Sequence, residues 1–396
     1  MAEDLANWRR WSAIGLAAVL ALAAGCGGSA VPSVTAPPAP DASVPALAWA
    51  ATDVPRIADG EAVAVTFGPG GFVAVGGVTG WRPDAAGGFN GFPLRPFILR
   101  SPDGLAWTEA THRFDVQSTQ LADVAAGPAG YVAVGGRTAG HGASRAVLLW
   151  SHDGLDWEPA ALPDPEASQW AWRVAWTGEA FVVSVTAYDQ TMPVELSSPD
   201  GRAWTAREVP YQRALVPTTA GWLGIGPLDT WTMPDGGPWE ADALTWPRGD
   251  DEIQGPERGA LTPGGTVLAG YFNGGCNLFG GCEAGTAAWW SADARSWSAL
   301  PFAAEGWPFA GSTMGVHILG GGEGLAVYAN DRDTWASVDG WRWRPLVAEE
   351  SLVPSGQAVR DIAVGGGTVV LVGGRVDGAG QVPLQSVAID AAVPSP

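Results

Sequence analysis

Apolar and polar residues alternate with a period of two in short runs along most of the chain, and Gly- and Pro-rich turns separate the runs. Val63–Gly77 reads VAVTFGPGGFVAVGG, Leu121–Gly136 reads LADVAAGPAGYVAVGG and Val359–Gly374 reads VRDIAVGGGTVVLVGG. Side chains on a strand face opposite sides in turn, so this alternation around a tight turn predicts paired antiparallel strands. Looser versions occupy Trp172–Ala187, Arg213–Gly226, Arg258–Phe272 and Thr313–Ala329, which brings the inner hairpins to seven.

A second unit, Ser-x-Asp-Gly-x-x-Trp, falls between these hairpins. It stands as SPDGLAW at 101, SHDGLDW at 151, SPDGRAW at 198 and SVDGWRW at 337, with degenerate copies MPDGGPW at 233 and SADARSW at 291. Asp103, Asp153, Asp200, Asp235, Asp293 and Asp339 are the turn acids. A short acid accepts hydrogen bonds from the amides just ahead of it, Gly takes the positive φ that other residues resist, and Trp supplies a large ring to wedge between sheets. The structural repeat has the length of one four-stranded blade.

Seven inner hairpins against six outer ones leave Leu47–Asp53 (LAWAATD) at one end and Leu384–Asp390 (LQSVAID) at the other. Joined, they complete a seventh outer hairpin and close a ring with no open edge. The sequence thus predicts an all-β fold: a single seven-bladed β-propeller over residues 47–392, its N- and C-terminal strands closing the last blade, with Trp49 beside the strand through Val387 and Ile389.

The N-terminus carries a different signal. Arg9 and Arg10 precede an apolar run from Ala13 to Ala24, too short for a bilayer that needs roughly 20 residues, and Leu22-Ala23-Ala24-Gly25-Cys26 follows. This is an export signal, and its end resembles the bacterial lipobox, which implies lipidation of Cys26. Residues 1–25 are read as signal peptide and 26–46 as lipidated Cys and Pro/Ala-rich tether. The expected address is exported, lipid-anchored and facing the cell exterior or periplasm.

The formal net charge is −20, and every one of the 21 basic residues is Arg. Such a surface repels phosphate backbones and anionic headgroups, which argues against nucleic-acid partners and leaves the lipid as the only membrane attachment. Cys276 and Cys282 sit close together in a Gly-rich loop and are expected to form a disulfide in an oxidising compartment. With four His in the chain and none near that pair, no metal site is expected. No cofactor is expected either, and the chain is read as a monomer.

The Ser-x-Asp-Gly-x-x-Trp copies resemble the Asp-box, or BNR, repeat of sialidases and many secreted propellers, although that repeat has one more residue between Asp and Gly. The resemblance specifies fold and says little of function. Tight turns fill one face of the predicted ring, so long loops must fill the other. Ligand-binding candidates there and at the channel mouth are Trp81, Arg95, Trp172, Arg173, Tyr188, Arg213, Arg258, Arg360 and Asp361, accompanied by Glu61 and Asp123 in a ring of compensating charges. No catalytic residue is assigned. The sequence favours a non-enzymatic binding or interaction module for an unidentified protein or glycan. The alternatives are a sialidase-like glycoside hydrolase and an assembly factor for a membrane complex.

Overall fold

The structure is a computed structural model. It describes residues 44–394 apart from short stretches, the longest being 113–118, 188–193, 209–213, 243–251, 274–283, 301–317, 347–356 and 376–386. The described residues form an all-β propeller without helices.

Each repeat folds as an antiparallel run in chain order, and its first strand is innermost. The innermost strands are Gly60–Gly68, Thr119–Gly127, Gln169–Trp176, Ala214–Thr218, Glu252–Thr262, Ile318–Gly322 and Gln357–Gly365. Among the described residues there are six sheets of four or more strands, where the repeat predicts seven. The correction has a local cause. A parallel bridge between Gly321 and Ala363 joins the run that starts at Ile318 to the run that starts at Gln357, making one eight-stranded sheet. Side chains normally hold neighbouring innermost strands apart. Here Gly320 has none, and a Cβ on it would stand 2.7 Å from the Ile362 carbonyl oxygen.

Leu47–Ala50 pairs antiparallel with Val387–Pro394, Trp49 standing opposite Ala392, so head and tail share the outer edge of that sheet. The C-terminal strand runs later than the sequence predicts, Val387–Pro394 in place of Leu384–Asp390. The chain leaving Leu47–Ala50 then reaches the next sheet, where Asp53 donates to Leu105 O at 2.7 Å and accepts from Trp107 N at 2.8 Å. Thr111 makes the corresponding step to Leu155 O at 2.9 Å and Ala161 to Arg202 O at 3.0 Å.

The Asp turns are built alike. In the first, Ser101 Oγ accepts from Gly104 N at 2.8 Å, Asp103 Oδ1 accepts from Leu105 N at 2.9 Å, and Trp107 Nε1 donates to Gly104 O at 2.8 Å. Gly104 lies at φ +83°, and in the degenerate copy Ala294 takes φ 59° in its place. Trp107, Trp157 and Trp204 are buried. Trp157, for one, packs with Leu121, Tyr131 and Leu149 of its own sheet against Val73, Val75 and Ile98 of the sheet before. The hairpin turns between first and second strands share this face: Tyr131 Oη accepts from Gly70 N at 2.7 Å and donates to Gly71 O at 2.9 Å.

Between the third and fourth sheets a polar contact does the joining. Glu195, almost wholly buried, accepts from Arg207 of its own sheet and from Trp239 Nε1 of the next. Burial raises the Glu195 carboxyl above its ordinary range, and the Trp239 and Arg207 hydrogen bonds pull it back.

One irregularity recurs. In five innermost strands, of which the one with Glu257 has a second irregularity between Ile253 and Pro256, a residue is skipped by the partner strand: Val63, Ala122, Trp172, Glu257 and Arg360. Each is a β-bulge, which bends the strand and re-aims the side chains on either side of it. The glycines of the VAVGG repeat lie opposite. Gly76 pairs with Ala62 and Gly135 with Leu121, and a Cβ on either would land on a carbonyl oxygen of the bulged strand, Glu61 O or Gln120 O.

Gly135→Ala is therefore expected to cost about 1–3 kcal/mol, the range for forcing one extra carbon into packed structure, as a lowered midpoint in urea denaturation. An unchanged midpoint would show that the glycine is not needed opposite the bulge.

Candidate functional site

The bulges sort residues of the innermost strands into two tiers. The skipped residues, Val63, Ala122, Trp172, Glu257 and Arg360, form one. The residues that follow them, Ala64, Asp123, Arg173, Arg258 and Asp361, form the other. Ionisable groups from four separate strands are thus gathered at one level of the channel.

Two carboxylates make the same bond in two places. Asp123 accepts from Val174 N of the next innermost strand at 3.1 Å, and Asp361 accepts from Val65 N of its own next strand at 2.9 Å. Each acid thereby ties neighbouring sheets together at the axis and is itself held fixed. Asp123 also accepts from Val124 N at 2.9 Å. Arg258 reaches past the glycine strand Ile318–Gly322, its guanidinium lying 3.4 Å from Asp361 Oδ1 and 3.4 Å from Arg360 O. Arg360 in turn pairs with Glu61, and both keep part of their side chains in solvent.

Burial pushes the Asp123 carboxyl up to about 6, because the charged form loses its water; Arg173 opposes the shift and the Asp361 charge adds to it. Burial likewise raises Asp361, against Arg258 and the Val65 amide. Asp103, Asp153, Asp200 and Asp293 of the turns behave oppositely, their carboxyls lowered. The Leu105 amide is the largest influence on Asp103 and holds its carboxyl below the ordinary range.

Of the sequence-predicted candidates, Trp172, Arg173, Arg258, Arg360 and Asp361 lie on innermost strands, and the last three are in mutual contact. Arg95 does not join them: it sits on the third strand of the first sheet, Pro93–Ser101, and pairs at 3.3 Å with Glu109 on the adjacent strand. Trp81, Tyr188, Arg213, Cys26, Cys276, Cys282 and Asp235 lie outside the described residues. Sequence reasoning placed Glu61 and Asp123 with Arg173, Arg213, Arg258, Arg360 and Asp361 in one ring at the strand entrances, either a solvated ring of compensating charges or a polar site for a carboxylate or sugar. Asp123 is instead at mid-strand and central to the cluster. The signal that locates it is the glycine pair of VAVGG, which marks the bulge across the hairpin. Among the described residues no group of three or more His, Cys, Asp or Glu could hold a metal ion.

No protein-family model matches the chain, and no curated protein matches it in sequence. In structure it is similar to an α-L-arabinofuranosidase of Fusarium graminearum in complex with an iminosugar inhibitor, at 13% identity and TM-score 0.46 over 84% of this chain and 92% of that one. It is also similar to a thermostable family-43 glycoside hydrolase, at 9% identity and TM-score 0.35 over 66% and 98%. A third similar structure is the β-propeller domain of the Trilobed protease from Pyrococcus furiosus, at 9% identity and TM-score 0.42 over 82% and 91%. Glycoside hydrolases are among these similar structures, and the preference for a non-enzymatic module gives way to the hydrolase alternative as a proposal. At such identities they assign no residue of this chain a role.

The raised Asp123 carboxyl has a stability consequence. Its folded value lies above the ordinary one of 3.8, so between about pH 4 and 6 the folded chain binds more protons than the unfolded, and the contribution of Asp123 falls as pH rises. The penalty of Asp123→Asn in urea unfolding should therefore be larger at pH 4.5 than at pH 7.5. A penalty that grows with pH would reverse the sign of the shift.

Proposed function

We propose that this chain is a glycoside hydrolase-type propeller whose reacting groups are the carboxylates of the channel. Glycosidic bonds are commonly cleaved by two carboxyl groups, one holding a proton for the leaving oxygen and one ionised. The observation that carries the reading is the cluster of Asp123, Asp361, Arg173 and Arg258 on the innermost strands, in which burial pushes the Asp123 carboxyl up to about 6. Asp123 is then the acid. Glu61, ion-paired with Arg360, is the second carboxylate. Arg173 and Arg258 supply donors for hydroxyl or carboxylate substituents on the sugar.

Three finer assignments accompany this reading. The eight-stranded sheet acts as two four-stranded blades, giving a seven-bladed ring; in support, only Gly321 and Ala363 are bridged between its halves, which otherwise follow the four-strand order of the rest. The Ser-x-Asp-Gly-x-x-Trp turns belong with the Asp-box type, supported by the shared hydrogen bonding of Ser101, Asp103 and Trp107. Finally, lipidated Cys26 and the tether to residue 46 hold an exported propeller at a membrane.

A panel of aryl glycosides tests the activity. Turnover is expected with at least one, reduced about 10²–10⁴-fold by Asp123→Asn in a variant whose melting shows it folded; absence of turnover across the panel would overturn the reading. For the anchor, Cys26→Ala should move the protein from the membrane fraction to the soluble one, and persistent membrane attachment would contradict it.

A further inference from the structure

The innermost strand Gln169–Trp176 breaks the rule that large apolar rings in this protein are buried. Trp172 is 49% exposed, and among the described residues it is the exposed large hydrophobic side chain. Its place explains how. Trp172 is the skipped residue of a bulge, between Ala171 opposite Val185 and Arg173 opposite Ser184. The equivalent residue in the last innermost strand is Arg360, which is also partly exposed and is paired with Glu61. Trp172 and Arg360 therefore belong to the same tier of the channel, next to the tier that holds Asp123, Arg173, Arg258 and Asp361.

The ring is backed by a second one. Trp170 lies 5.4 Å away between centroids at an interplanar angle of 35°. It rests over Gly136 of the preceding sheet, where a Cβ would collide with its indole. Trp170 thus occupies a place that the glycine leaves open, and it holds Trp172 from behind while one side of Trp172 stays in water. An indole so placed costs free energy unless something covers it.

A flat electron-rich face bordered by Arg and carboxylate groups suits two classes of small ring: nucleobases and sugars. A nucleobase brings phosphate with it, which a chain of net charge −20 repels. A sugar offers C–H groups to the indole face and hydroxyls to the polar rim. We infer that Trp172, backed by Trp170, is a stacking platform for one sugar ring of a neutral polysaccharide entering the channel. This rests on the hydrolase reading for its ligand class, but binding can be measured apart from turnover.

The test is affinity electrophoresis in native gels containing wheat arabinoxylan, barley β-glucan or yeast mannan, run with the full chain and its variants. The wild-type protein should be retarded by at least one of them. Trp172→Ala should weaken that retardation about tenfold, the scale of one lost stacking contact, with its melting temperature unchanged because the side chain is half in solvent. Trp172→Phe should restore most of it. Equal retardation of wild type and Trp172→Ala, or no retardation of the wild type by any of the three, would overturn the platform. Retardation that depends on Trp172 without hydrolysis of the polysaccharide would sustain the platform and refute the hydrolase reading. Hydrolysis with KM unchanged in Trp172→Ala would do the reverse.

Discussion

The channel of this protein depends on a bulge that recurs in five of its innermost strands. A regular innermost strand would alternate its side chains between the two faces of its own sheet, and ionisable groups buried there would face apolar neighbours in the next. The extra residue in each of five innermost strands re-aims the groups beside it. Across from Trp172 the partner residues are Val185 and Ser184; at two of the other bulges the partner strand has a glycine, Gly76 or Gly135, with no side chain to strike a carbonyl of the bulged strand. The same freedom, used differently, lets Ile318–Gly322 approach Gln357–Gly365 closely enough to bridge. Glycine thus contributes both to the shape of the axis and to the number of separate sheets.

Around this axis the stabilising contacts are repeated with small variations. Asp turns terminate the outer hairpins and direct Trp rings into the gaps between sheets, while strand exits such as Asp53, Thr111 and Ala161 stitch one sheet to the next. Between the third and fourth sheets Glu195, Arg207 and Trp239 form a polar joint. Such a joint is costly to break from one side, because the remaining partner is left buried and unpaired.

Much of this was legible in the chain. Period-two alternation and the Ser-x-Asp-Gly-x-x-Trp spacing locate the hairpins, and the leftover Trp49 segment locates the pairing of head and tail, because both are local patterns that fix side-chain facing and turn geometry. The fused sheet was not legible, since it turns on how near two glycine-bearing backbones come after folding. The site was legible in part. Arg258, Arg360 and Asp361 were named from their positions at strand starts; Asp123 was placed in the same ring of charges but not among the ligand-binding candidates. The state of its carboxyl depends on burial and on charges far away in sequence, Arg173, Asp361 and Arg258 among them. Arg95 lies on a third strand, apart from the innermost-strand cluster; loop proximity in sequence says nothing of radius.

The central claim is that bulges bring charges from separate sheets into one electrostatically coupled cluster. Titration of the Asp123 carboxyl by carbon-13 NMR, in the wild-type protein and in Asp361→Asn, tests it most directly. The account predicts a wild-type midpoint near 6 that moves down toward the ordinary carboxylate range once the Asp361 charge is gone. A midpoint that is already ordinary in the wild type, or one that Asp361→Asn leaves in place, would contradict it.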